Sequence, residues 1–137
     1  MSNVKNMAYL FSESKFTVNI SKWNVSNVRN MKYMFYKSKF NGDILSRWDV
    51  TNVEDMSYMF FNSRFNQDIS KWDVSNVKYF NYMFANNYYF YQNLSNWNLN
   101  YPYSVKGMFY ESKITKQDVL KWGWNLFGIN IDDLFNI

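Results

Sequence analysis

The stretch FNQDISKWDVSNVKYFNYMF, residues 65–84, contains no histidine or cysteine, yet versions of it return along most of the chain. Five tryptophans, Trp23, Trp48, Trp72, Trp97 and Trp122, stand 25, 24, 25 and 25 residues apart. A second mark closes each unit: Met34-Phe35, Met59-Phe60, Met83-Phe84 and Met108-Phe109, with Leu10-Phe11 before them and Leu134-Phe135 after. Self-similarity at such a period is the signature of stacked repeats. From Trp to the closing Phe the distance is 12 residues in four consecutive units, whereas from that Phe to the next Trp it is 12 or 13. One half of the repeat is fixed in length and the other behaves as a loop.

Within the fixed half, Trp72 and Val74 are two apart, with charged Lys71 and Asp73 around them, which is the period of a half-buried strand. Ser75-Asn76 then offers a helix N-cap, and Val77, Phe80, Met83 and Phe84 follow at the spacing of a short helical stripe. Thr51 to Glu54 spells a capping box in one repeat. These patterns predict an α/β chain of about six stacked rungs, each a short parallel strand, a short helix and a variable loop. Stacking would place Trp on Trp and Met-Phe on Met-Phe. Residues 1–137 read as one domain, with an incomplete first rung over 2–11 and Trp-led rungs starting near 23, 48, 72, 97 and 122. The last rung reads as a C-terminal cap, with Asp132 and Asp133 as a polar lid.

Composition supports folding: 47% of the 137 residues are hydrophobic and 23% aromatic, far from the signature of disorder. With no cysteine and no histidine, disulfides, the usual zinc frameworks and Cys/His nucleophile pairs are excluded. The four glycines match no phosphate-loop spacing, so no cofactor is expected. No apolar run approaches the roughly 18 residues of a spanning helix, and Met1 to Lys5 begins no secretory signal, so the chain as it stands reads as soluble.

The pattern F-N-x-D-I-x-x-W-[DN]-V-[ST]-N-V-x-x-M-x-x-M-F, seen in residues 65–84 and in FNGDILSRWDVTNVEDMSYMF at 40–60, resembles the repeats of BspA-type surface proteins and mycoplasma-type lipoproteins. It extends over residues 2–135 and is clearest from 16 to 84. The resemblance implies a right-handed, leucine-rich-repeat-like solenoid, a role in adhesion or protein recognition, and a cell-surface or secreted location. The chain itself shows no signal peptide, lipobox or transmembrane segment.

Candidate chemistry is sparse. Asp43, Asp49, Asp68 and Asp73 occupy places that hold Asn19, Asn24, Asn93 and Asn98 in other repeats, so turn capping is expected of them rather than acid–base work. Asn3, Asn27, Asn52 and Asn76 are expected to satisfy turn backbone groups in neighbouring rungs. Two basic columns stand out: Lys22, Arg47, Lys71 and Lys121 just before a Trp, and Lys15, Lys39, Arg64 and Lys113 in the loop half. Tyr9, Tyr33, Tyr58 and Tyr82 precede the closing pair and point away from the expected core stripe; Gly107 ends that column. Tyrosine is enriched at recognition surfaces. The sequence therefore predicts a non-enzymatic scaffold binding a protein partner through the Tyr column. The alternative is an anionic polymer, glycan or nucleic acid, held along the first basic column. The incomplete first rung invites end-to-end self-association.

Overall fold

A computed structural model describes residues 3–16, 18–42 and 46–137, and the backbone at Tyr58 shows how its repeats are built. Tyr58 has a left-handed conformation, φ 58°, and so do Tyr9, Tyr33, Tyr82 and Gly107 at the same place in the other repeats. Four residues further on, Glu13, Lys37, Asn62, Asn86 and Glu111 are left-handed too. A right-handed helix cannot run through such residues. The backbone instead alternates its hydrogen bonds. The N–H groups of Tyr58, Phe60 and Asn62 donate to the carbonyls of Asn81, Met83 and Ala85 in the next repeat, at 3.0, 2.9 and 2.9 Å. Those of Met59, Phe61 and Ser63 close local turns onto Met56, Tyr58 and Phe60. Each repeat thus satisfies its donors half within itself and half against its neighbour.

The strand expected at Trp72–Val74 also fails to form. Its alternation does mark burial, since Trp72 and Val74 are buried while Lys71 and Asp73 are exposed. The local polar groups nevertheless bend the chain: Asp73 Oδ1 accepts from the N–H and Oγ of Ser75. Turns close on either side, from the Trp72 N–H to Ile69 and from the Val77 N–H to Val74. Among the described residues, pairing between repeats reduces to isolated parallel bridges linking Asn6, Asn30, Asp55, Tyr79 and Ser104 in series. The α/β, leucine-rich-repeat-like solenoid of parallel strands and short helices is therefore not what this chain forms. It is a stack of turns, with no strand and no α-helix in the repeating part among the described residues.

What the sequence places well is the core. The closing phenylalanines lie on one another through the stack: Phe11–Phe35, Phe35–Phe60, Phe60–Phe84 and Phe84–Phe109 have centroids 5.5 to 5.7 Å apart. Phe16, Phe40, Phe65 and Phe90 pack beside them, each against the ring of its own repeat at 4.1 to 5.1 Å. The tryptophans sit on the other side of this ladder, and their indole N–H groups reach back across the stack. Trp48 Nε1 donates to the Ile20 carbonyl and Trp97 Nε1 to that of Ile69.

The C-terminal end departs from the repeat. Thr115 caps a helix, α1 (Lys116–Lys121), by a capping box with Asp118. Two short 3-10 helices follow, Trp124–Leu126 and Ile131–Phe135. Because α1 takes up the chain just before it, Trp122 is not the residue that continues the tryptophan column. Trp124 is fully buried and stacks on Trp97 at 6.4 Å and 11°, while Trp122 stands edge-on to Phe109. Asp132 pairs with Lys116 and Asp133 is exposed, so the two acidic residues face outward at this end.

Candidate tyrosine face

Because the backbone turns left-handed at Tyr9, Tyr33, Tyr58 and Tyr82, all four side chains leave the stack in one direction. Their rings lie face to face: Tyr9–Tyr33 at 4.7 Å and 9°, Tyr33–Tyr58 at 4.5 Å and 9°, Tyr58–Tyr82 at 5.0 Å and 25°. Aromatic pairs in this range contribute about 0.5–1.5 kcal/mol beyond burial. That is comparable to the cost of about 1–2 kcal/mol for holding a non-glycine residue left-handed. The row ends where Tyr82 lies over Gly107; a Cβ there would stand 2.4 Å from the ring.

Tyr9 is exposed and Tyr33, Tyr58 and Tyr82 are half-buried, with ring faces covered by one another and edges at the surface. Tyr36 and Phe61 widen the face. They stack on each other at 5.2 Å, and Tyr36 lies 5.2 Å from Tyr33 while Phe61 lies 5.5 Å from Tyr58. Beside them, Lys32, Tyr33, Asp55, Ser57, Tyr58, Tyr79 and Asn81 line a shallow depression of about 270 Å³.

Burial, and then the neighbouring phenols of Tyr58, Tyr9 and Tyr36, push the Tyr33 hydroxyl up to about 12. Burial, followed by Tyr82, raises Tyr58 as well. Both hydroxyls are therefore neutral hydrogen-bonding groups at any physiological pH. In the unfolded chain a tyrosine ionises near pH 10, so the folded state holds these protons more tightly. The resulting stability is fully present below about pH 10 and is lost as pH rises through about 12. Equilibrium unfolding at successive alkaline pH values should show this loss, and Tyr33→Phe should show a smaller one.

The other candidates are dispersed. Lys22, Arg47 and Lys71 are exposed, one per repeat, while Lys121 lies in the last turn of α1, away from the repeating backbone. Arg47 and Lys71 share a groove of about 380 Å³ with Ser46, Gln67 and Asp68. Side-chain ion pairs among the described residues are Arg29–Glu54 and Lys116–Asp132, so neither basic column is neutralised by pairing. In the second column, Lys15, Lys39, Arg64 and Lys113 are all exposed, and the Arg64 guanidinium lies 6.0 Å from the Tyr89 ring.

The carboxylates are spent on turns. Asp49, Asp68 and Asp73 each accept from the N–H two residues on, as Asn19, Asn24 and Asn93 do in their repeats; Asp43 lies outside the described residues. Hydroxyl and backbone N–H groups of Ser70 and Ser75 hold Asp68 and Asp73 below the usual carboxylate range. Asn52 and Asn76 donate to the carbonyls of Ser26 and Thr51 one repeat earlier, so the asparagine column ties rungs together.

Sequence reasoning passed over Tyr36 and Phe61, and also the exposed tyrosines of the later repeats: Tyr79, Tyr88, Tyr89, Tyr91, Tyr101 and Tyr103. Their clustering between 79 and 103 was the available signal. Tyr79 and Tyr103 meet edge to face at 5.8 Å, and Lys78 lies 5.5 Å from the Tyr103 ring. No helix among the described residues is long and apolar enough to cross a membrane.

Comparison with known proteins gives one family. Its model, DUF285, described as a Mycoplasma protein of unknown function, matches residues 1–64 and again 38–136. The two placements overlap, as an internally repeated chain allows, and together they span nearly its whole length: the chain belongs to this family. No curated protein matches it, and no solved structure does.

Proposed function

We propose that this member of the Mycoplasma DUF285 family is a non-enzymatic scaffold that engages a protein partner through its tyrosine face. The observation that carries the reading is the continuous stack Tyr9–Tyr33–Tyr58–Tyr82, widened by Tyr36 and Phe61. The rings hold each other in place, so little side-chain entropy is lost when a partner meets their edges and hydroxyls. Tyrosine offers an apolar body and a polar tip, the combination enriched at binding hot spots. The non-enzymatic part rests on the carboxylates: Asp49, Asp68 and Asp73 serve turns in successive repeats instead of converging on one pocket. Resemblance of the repeat to those of BspA-type surface proteins supports an adhesion-like role.

Two variants test it. Tyr9, Tyr33, Tyr58 and Tyr82 are changed together to Ser, which removes rings and hydroxyls, or to Phe, which keeps the stack. Each is offered a cell lysate and a membrane extract beside the wild type. The reading expects a protein retained by the wild type and lost by the Ser variant, with the Phe variant folded and weakened. Identical retention by all three, with folds verified by near-UV circular dichroism, rejects it.

A second reading is favoured by the unpaired cations Lys22, Arg47 and Lys71 and the groove between the last two. An anionic polymer held there would release counterions, so retention on an anionic matrix should fall steeply and log-linearly with salt. It should weaken further in Arg47→Ala/Lys71→Ala. Retention that ignores salt rejects this reading.

A further inference from the structure

The first rung differs from all those behind it in one respect. In the interior, each repeat's carbonyls accept from the repeat before. Those of Asn30, Lys32, Met34 and Tyr36 accept from the N–H groups of Met7, Tyr9, Phe11 and Glu13, and those of Asp55, Ser57, Met59 and Phe61 from Met31, Tyr33, Phe35 and Lys37. The equivalent carbonyls of the first rung are Asn6, Ala8, Leu10 and Ser12, and no group among the described residues donates to them. A row of four acceptors at two-residue spacing thus stands open at this end.

The side chains tell the same story. Leu10 is 46% exposed, whereas Met34, Met59, Met83 and Met108, at its place in the repeat, are each 0% exposed. Val4 and Phe11 are partly exposed where Val28, Val53, Phe35 and Phe60 are fully buried. Tyr9 is covered on one ring face, by Tyr33. The open end therefore combines an apolar patch with acceptors in the register of every interior junction.

We propose that this end binds a polypeptide segment of the same repeat chemistry, donated by another chain, which adds one more rung. The bonding polarity selects that occupant. An incoming segment must supply N–H groups at alternate residues and aromatic rings at the Tyr and Phe positions, as a Met-x-Tyr-Met-Phe turn does. A folded second copy cannot supply them. Its first rung offers the same carbonyls, and the N–H groups of its interior repeats are already donated to the following rung. Head-to-head joining would set acceptor against acceptor. This inference stands apart from the tyrosine-face reading, because it concerns the end of the stack.

The test uses the full chain and a fluorescent synthetic peptide reproducing residues 46–64, SRWDVTNVEDMSYMFFNSR. Within the chain, Met56, Tyr58, Phe60 and Asn62 of this segment donate to the next repeat, whereas the Asp49 N–H makes no hydrogen bond among the described residues. Saturable binding in an anisotropy titration is expected. N-methylation at Tyr58 and Phe60 of the peptide should weaken it by roughly tenfold or more, two hydrogen bonds being lost; N-methylation at Asp49 should leave it unchanged. Leu10→Glu in the protein, at a half-exposed position, should weaken binding by roughly tenfold through loss of apolar contact. No binding, or binding indifferent to the methylated donors or to Leu10→Glu, overturns the proposal. So does sedimentation of the chain alone as a dimer that Leu10→Glu dissociates, which would make a second copy the occupant. Failure here leaves the tyrosine-to-serine comparison unaffected.

Discussion

Phe60→Ala is expected to destabilise the protein by about 3–5 kcal/mol, the cost of truncating a fully packed core aromatic. The Phe60 ring is 0% exposed and lies against four others: Phe35 at 5.5 Å, Phe84 at 5.6 Å, Phe65 at 4.2 Å and Trp72 at 6.4 Å. It joins the ladder between repeats to the packing within its own repeat, so its loss opens a cavity that neither neighbour fills without moving backbone. Native proteins are stable by about 5–15 kcal/mol, so one such change removes a large share. Urea unfolding followed by tryptophan fluorescence should show a midpoint far below wild type. Tyr9→Ala, at the exposed end of the stack, should shift it much less.

Gly107→Ala should destabilise by about 2–5 kcal/mol, and Gly123→Ala by no more than about 1–2 kcal/mol. Both glycines are left-handed, at φ 64° and 76°, so both substitutions carry the backbone cost. The difference lies in the space around them. A Cβ at Gly107 would meet the Tyr82 ring at 2.4 Å and the Asn136 carbonyl at 2.9 Å, whereas at Gly123 nothing lies within 4 Å. The end of the tyrosine row is thus closed by a ring lying where a side chain would have gone. Similar losses at both positions, in thermal or urea unfolding, would mean that backbone strain alone explains them.

That column also shows what the sequence could and could not tell. Its period, buried positions and Phe ladder were all legible, because apolar residues recurring at a fixed interval must meet in a stack. The local conformation was not, because the spacing of Val77, Phe80, Met83 and Phe84 suits a helix and this chain of turns equally. A single glycine among tyrosines, Gly107, was the sign that the position is left-handed. Asp68-x-Ser70, Asp73-x-Ser75 and Asn24-x-Ser26 likewise spelled side-chain-capped turns where strands were expected. Thr115 to Asp118 spelled the capping box of the one α-helix. The tyrosine row was readable from spacing alone. Its breadth was not, since Tyr36 and Phe61 join it only once the rungs are stacked.

The account rests on repeats that bond sideways to one another, and scalar couplings across hydrogen bonds, measured by NMR on labelled protein, test this directly. The Tyr58 amide nitrogen should couple to the carbonyl carbon of Asn81, 23 residues on and in the next repeat, as should Phe60 to that of Met83. A coupling from Tyr58 to the carbonyl of Glu54 would instead mean a helix through the repeat, and would contradict both the stack of turns and the tyrosine face built upon it.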